Sequence, residues 1–194
     1  MGRMNQLAKS LRMFLWLTLV TGVVYPLLLT VFAQTVMKER ADGKIVHVHD
    51  KVVGAQLIGQ KFTSEKYFWG RPSATDYNAL PSSGSNLGPL SKELQRLVAE
   101  RRSHYAVGEK SHVPSELLFA SGSGLDPHIS PAAAYFQVER VIKARGLKEE
   151  EGKILLSELI VKNTTQKYLS FLGRRCVNVL MLNISLDEAT EKHE

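Results

Sequence analysis

Between Met13 and Met37 the chain carries no charged residue, and its densest apolar part runs from Phe14-Leu15-Trp16-Leu17 to Leu27-Leu28-Leu29-Thr30-Val31-Phe32. About 20 apolar residues span the hydrocarbon core of a bilayer, so this run is long enough to cross with some tilt. The pattern predicts a transmembrane helix over residues 13–36 after a short arm over 1–12. Thr21-Gly22 and Tyr25-Pro26 interrupt the helix near its middle. Pro26 removes a backbone donor and crowds the preceding turn, while Thr21 and Gly22 offer a small face for another helix. The same residues also fit a kink tolerated in lipid, with threonine bonding back to freed carbonyls. Partner packing is the preferred reading, because a lone anchor needs neither the break nor the small face.

Beyond the helix the pattern becomes that of a folded domain over residues 37–194. Ile45-Val46-His47-Val48 and Val52-Val53 flank His49-Asp50-Lys51, which predicts a hairpin or meander. Leu57-Ile58 and Tyr67-Phe68-Trp69 read as further short strands. From Pro72 to Pro89 the chain is dense in proline, glycine, serine and asparagine, which predicts a long loop of the kind that often carries function. Ser91 caps a helix from Lys92 to about Tyr105, with Leu94, Leu97 and Val98 at helical spacing. Ser130 and Pro131 open a second helix that Gly146 closes. A third runs from about Lys148 to Val161, its start at Glu149-Glu150-Glu151 suiting the positive end of the helix dipole. Cys176 to Asn183 reads as a final strand before a short acidic tail. The expected fold class is α+β: one N-terminal transmembrane helix, then a single soluble domain of short strands and about three helices.

Composition changes this picture little. A hydrophobic fraction of 44% and a charged fraction of 23% are ordinary for a globular chain, so the domain is expected to fold. The net charge of +6 is concentrated at the start, where Arg3, Lys9 and Arg12 precede the first acidic residue, Glu39. The remainder is nearly balanced and has no long basic stripe, which argues against a nucleic-acid partner. Lys38, Arg40 and Lys44 after the helix are mixed with Glu39 and Asp42, so the positive-inside rule favours a cytoplasmic N-terminus and an extracytoplasmic domain. Val31-Phe32-Ala33 would suit signal peptidase, but the apolar run exceeds the usual signal core of about 7 to 15 residues, so a retained helix is expected. The single cysteine, Cys176, forbids an intramolecular disulfide. Arg175 beside it could favour a thiolate; a small buried strand residue is the preferred reading.

The search for chemistry finds no complete motif. Gly54 to Gly59 has the glycine spacing of a phosphate loop, yet Gln60 stands where its lysine belongs. Ser121-Gly122-Ser123-Gly124 does not fit a nucleophile elbow. A tethered serine hydrolase using Ser121 or Ser123 with His128 is therefore a remote alternative. His47 and His49 share a strand face without a third ligand at suggestive spacing, and no metal site is assigned. Asn163-Thr164-Thr165 and Asn183-Ile184-Ser185 match the glycosylation pattern by chance.

Several unusual strings, in order along nearly the whole chain, carry a resemblance. They begin with Thr21-Gly22 and Tyr25-Pro26, continue through Leu57-Ile58-Gly59-Gln60, Arg71-Pro72-Ser73-Ala74, Tyr77-Asn78 and Gly84-Ser85-Asn86-Leu87, and include Val113-Pro114 with Glu116-Leu117. The longest spans Ala120 to Pro131, followed by Gln137, Arg140-Val141, Ala144-Arg145-Gly146, Val177-Asn178-Val179-Leu180, Leu182-Asn183 and Leu186-Asp187. Together they resemble the C subunit of the bacterial Kdp potassium-transporting ATPase, departing from it at Ser83 and at Arg174-Arg175.

The resemblance implies a single-pass protein of the bacterial inner membrane. Its partners would be a channel-like potassium-translocating subunit, a P-type ATPase subunit and a small helical subunit. It further implies a non-catalytic accessory role in assembly and in raising the ATP affinity of the catalytic subunit. No cofactor is expected to bind tightly, with ATP reached through the complex. A second version has the chain act directly on ATP as a catalytic chaperone, for which Gln34 is the nucleotide-contact candidate. Partner-contact candidates are Thr21, Gly22, Tyr25 and Pro26 in the helix, Arg71, Pro72, Ser85 and Asn86 in the long loop, and Ser121, Ser123 and Asp126. The glycines and serines of these loops allow close backbone approach, although ordinary tight turns need the same residues.

Overall fold

A computed structural model describes residues 2–105, 112–166 and 173–191. The chain divides into two compact units, residues 1–45 and 46–194.

The first unit is one long helix with a defect. Helix α1 (Gly2–Leu19) passes through a π-helical turn, Val20–Val24, into α2 (Tyr25–Val36). The helix already includes the arm expected before residue 13. The defect sits one turn ahead of Pro26, whose ring would otherwise meet the carbonyl four residues back. The wider turn instead lets the Tyr25 N–H donate to Val20 O. Thr21 Oγ1 donates to Leu17 O at 2.7 Å and Thr30 Oγ1 to Pro26 O at 2.8 Å, so hydroxyls supplement the strained ladder on both sides. The helix over Asn5–Val36 is long and apolar enough to cross a membrane by length and composition, its most apolar 18-residue window having a mean hydropathy of 2.0. A short helix, α3 (Lys38–Ala41), follows.

The second unit opens with the expected hairpin, β1 (Ile45–Val48) and β2 (Lys51–Ala55). His49 and Asp50 form its turn with φ of +48° and +62°, the left-handed pair of a type I′ loop. His49 is therefore a turn residue, and the shared strand face expected for His47 and His49 does not exist.

Helix α4 (Lys92–His104) starts where Ser91 Oγ accepts the Leu94 N–H. The strand β3 (His128–Ile129) leads into α5 (Pro131–Arg145), capped by Ser130 Oγ on the Ala133 N–H and closed by Gly146 at φ +67°. Helix α6 (Glu149–Lys162) is followed by β4 (Thr164–Thr165), β5 (Cys176–Asn178) and α7 (Val179–Glu191). β5 lies between β3 and β4, antiparallel to both, with Ile129 and Thr164 both opposite Val177. Phe68, Leu117, Ile129, Val141, Leu156, Ile160, Val177, Leu182 and Leu186 are almost wholly buried where α5, α6 and α7 close over this sheet. The fold is α+β, as expected.

Three further sequence expectations change. The stretch Cys176 to Asn183 is strand only to Asn178; Val179, Leu182, Asn183 and Leu186 then fall on one buried helical face. Asn178 starts that helix, its Oδ1 accepting the Met181 N–H at 3.1 Å, so the unit has a fourth long helix and the acidic run to Glu191 is its last turns. Leu57-Ile58 forms a turn, with both side chains exposed. Tyr67-Phe68-Trp69 lies outside any sheet because helix side chains take its backbone bonds.

Candidate functional site

Two buried amides hold the segment around Phe68. Asn183 accepts the Phe68 N–H at 2.8 Å and donates to Phe68 O at 3.0 Å. Gln137 treats the next residue the same way, accepting the Trp69 N–H at 2.8 Å and donating to Trp69 O at 3.1 Å. Each amide thus supplies the donor and acceptor that a neighbouring strand would have supplied. Arg140 completes the clamp: its guanidinium lies 3.7 Å from the Trp69 ring centroid and donates to Glu65 O, Tyr67 O and Gln137 Oε1. Burial pushes its pKa down to about 10, so it remains charged at neutral pH. Arg145 binds Asp187 at 2.6 Å and Lys66 O at 2.8 Å at the other end. Asn183 is 2% exposed with both amide atoms engaged, which removes the glycosylation reading there.

The clamp fixes the root of the long loop that begins at Arg71. This loop and the segment Ala120–Pro131, singled out separately in the sequence, lie against each other. The Ser121 N–H donates to Pro72 O at 3.0 Å, and Ser82 Oγ donates to Ser123 O at 2.7 Å. Gly59 N–H donates to Leu125 O at 2.8 Å, while Val179 N–H donates to Pro127 O at 3.0 Å. A Cβ on Gly59 would stand 2.7 Å from Asp126 O, and a Cβ on Gly54 would collide with the Gln60 amide. These glycines serve close packing, consistent with discarding the phosphate-loop reading. Within the loop, Ser73 Oγ accepts the N–H groups of Thr75 and Tyr77. Tyr77 Oη donates to Arg71 O at 2.6 Å, and burial, followed by the charges of Asp76 and Asp126, pushes that phenol up to about 12.

Arg71 and Asp126 form the strut between the two segments, with Nη1 to Oδ2 at 3.0 Å and each side chain about one third exposed or less. The other carboxylate oxygen accepts the His128 N–H at 3.0 Å, and His128 Nδ1 lies 3.6 Å from it. The His128 imidazole, its N–H and Arg71 hold the Asp126 pKa below the usual carboxylate range, against the opposing effect of burial. A carboxyl group more acidic when folded contributes stability above its unfolded value, about 3.9, and loses it as pH falls through the folded value. The melting midpoint of the chain should therefore fall more steeply with pH below about 4 than that of Asp126→Asn. Equal slopes would remove Asp126 as a source of acid sensitivity.

Of the residues expected at a contact surface, Arg71, Pro72, Ser123 and Asp126 come together here. Ser121 does too, but it is 2% exposed and its hydroxyl is not presented to solvent. Ser85 and Asn86 follow Gly84, whose Cβ position is 3.0 Å from Gly122 O, so they lie beside the same junction. Thr21, Gly22, Tyr25 and Pro26 belong to the other unit. Gln34 Nε2 donates to Asp42 Oδ1 at 3.3 Å. Among the described residues no hydrogen bond joins His128 to Ser121 or Ser123; Ser123 Oγ accepts the Leu125 N–H instead. No cluster of three or more His, Cys, Asp or Glu is placed to hold a metal ion among the described residues. Gln137, Arg140 and Asn183 were the residues whose part sequence reasoning missed. For Gln137 and Asn183 the signal was an uncharged amide at a buried phase of each helix.

The family model described as KdpC, the K+-transporting ATPase c chain, matches residues 7–188. The chain belongs to the KdpC family. A potassium-transporting ATPase KdpC subunit from Serratia proteamaculans is 46% identical over 190 residues, covering 95% of this chain and 98% of that one. The KdpC subunit of Pectobacterium atrosepticum is also 46% identical, over 95% and 97% of the two chains. That of Leptospira interrogans is 44% identical, over 95% and 94%. The KdpC match thus spans both the long helix and the clamped domain.

Proposed function

We propose that this chain is the non-catalytic accessory subunit of an ATP-driven potassium uptake complex in the bacterial inner membrane. Membership of a family named for a potassium-transporting ATPase subunit supports the complex. The observation that carries the accessory role is the pair of interlocked loops, a preformed surface whose charged strut is spent on its own architecture. In this reading residues 1–12 are cytoplasmic, 13–36 cross the bilayer, and 37–194 form the extracytoplasmic domain. The exposed small face at Thr21 and Gly22 packs on a helix of the channel-like or small subunit. The loop surface docks on the channel-like subunit.

An extracytoplasmic domain cannot touch cytosolic ATP, so any effect on nucleotide affinity travels through the membrane helices as a coupling between sites. The direct nucleotide reading through Gln34 is disfavoured: its amide is already given to Asp42, a carboxylate that repels phosphate. Affinity purification of the tagged chain from native membranes should recover the ATPase and channel-like subunits, and recovery of the chain alone would overturn the reading. Alkaline phosphatase fused after Glu194 should be active. An inactive phosphatase paired with a fluorescent cytoplasmic reporter at that position would reverse the topology.

A further inference from the structure

A cleft of about 800 Å³ opens on the second unit, away from the amide clamp. Arg71, Arg102, Arg174, Arg175, His112 and His128 line it, against two carboxylates, Asp126 and Glu116. Both carboxylates are occupied. Asp126 is held by Arg71 and the His128 N–H, while Glu116 accepts the N–H and hydroxyl of Ser130 at the start of α5. Among the described residues Arg102, Arg174 and Arg175 have no carboxylate within ion-pair distance. Three arginines therefore line one concavity without a carboxylate partner among the described residues. Glu116 also fills the N-terminus of α5, so the arginines, not the helix end, are what an incoming anion would meet. The remaining wall is apolar: Leu118 and Ile129 are buried behind it, and Phe119 is 43% exposed at the rim.

From this combination we infer that the cleft binds a phosphate ester. Its phosphate would sit among Arg102, Arg174 and Arg175, and its less polar part against Leu118 and Phe119. Guanidinium groups pair with phosphate oxygens through two parallel N–H donors, and several converge more favourably on a tetrahedral oxyanion than on one flat carboxylate. The volume is that of a small-molecule site and exceeds what a lone carboxylate fills. The ester could be a lipid headgroup or a soluble compound. The site does not depend on the orientation or partners proposed above.

The test uses the purified full chain in neutral detergent. Glycerol phosphate is titrated calorimetrically, and phosphatidylglycerol adducts are counted by native mass spectrometry. At least one probe should bind saturably at one site, and the lipid source is indicated if phosphatidylglycerol adducts persist while glycerol phosphate gives no heat. The double variant Arg102→Glu with Arg174→Glu, both at exposed positions, should weaken binding at least tenfold. Arg96→Glu, equally exposed on α4 but outside the cleft, should leave it unchanged. The inference is overturned if neither probe binds, if Arg96→Glu weakens binding as much as the cleft variant, or if only an acidic peptide binds.

Discussion

Replacing Asn183 with leucine should lower the melting midpoint of the full chain by about 4–24 °C, although leucine fills nearly the same buried volume. The cause is two stranded backbone groups. Phe68 N–H and C=O both pair with the Asn183 amide, and Phe68 is fully buried, so leucine leaves each without a partner and without water. A buried group left unsatisfied costs about 1–3 kcal/mol, giving about 2–6 kcal/mol for the pair. That is a large part of the roughly 5–15 kcal/mol that holds a domain together. For a domain of this size each kcal/mol moves the midpoint by about 2–4 °C. Were burial alone important, leucine would be neutral or stabilising, so a midpoint within about 2 °C of the unaltered chain would sink the clamp argument. Gln137→Leu should act similarly on Trp69 and would also deprive Arg140 of an acceptor. Because Phe68 and Trp69 are adjacent, the double variant should lose less than the sum of the two single losses.

The clamp also explains which parts of the fold the sequence announces. Helix starts at Ser91 and Ser130 and the stop at Gly146 are decided within four residues of themselves, and each was legible. Tyr67-Phe68-Trp69 has the composition of a strand, with Phe68 buried and its neighbours half-buried. Its hydrogen-bond partners, however, lie 68 and 115 residues away on helices, a distance over which no local pattern reaches. Cys176 to Asn183 misled for a related reason. A run of valine and leucine suits strand and buried helix alike, and reading Asn183 as the end of a strand hid the helical phase to which it belongs. At the loops, residue identity named Arg71, Asp126 and Ser123 together. Their mutual packing depends on long-range backbone bonds such as Ser121 N–H to Pro72 O, which composition cannot specify.

Gly124→Ala should dismantle that loop junction, whereas Gly122→Ala, two residues away in the same glycine-rich string, should be nearly silent. Gly124 has φ +71°, a conformation that costs a residue with a Cβ about 1–2 kcal/mol. The added methyl would also stand 2.8 Å from both Ser83 O and Thr75 Oγ1 and 3.1 Å from Ser73 Oγ. The backbone carbonyl among these cannot rotate aside, so the long loop must shift and strain the bonds from Ser82 to Ser123 and from Ser121 to Pro72. Gly122 lacks a positive φ and has nothing within 4 Å of its Cβ position, so alanine there meets open space. The expected losses are about 2–4 kcal/mol for Gly124→Ala and within about 0.5 kcal/mol for Gly122→Ala, read from paired thermal melts. The core beneath α5, α6 and α7 does not depend on the junction, so Gly124→Ala should keep its helical circular dichroism at low temperature. Recovery of partner subunits with the tagged chain should nonetheless fall several-fold. If that variant purifies with its full set of partners despite the lowered midpoint, the loop pair is a structural brace and the docking surface lies elsewhere on the domain.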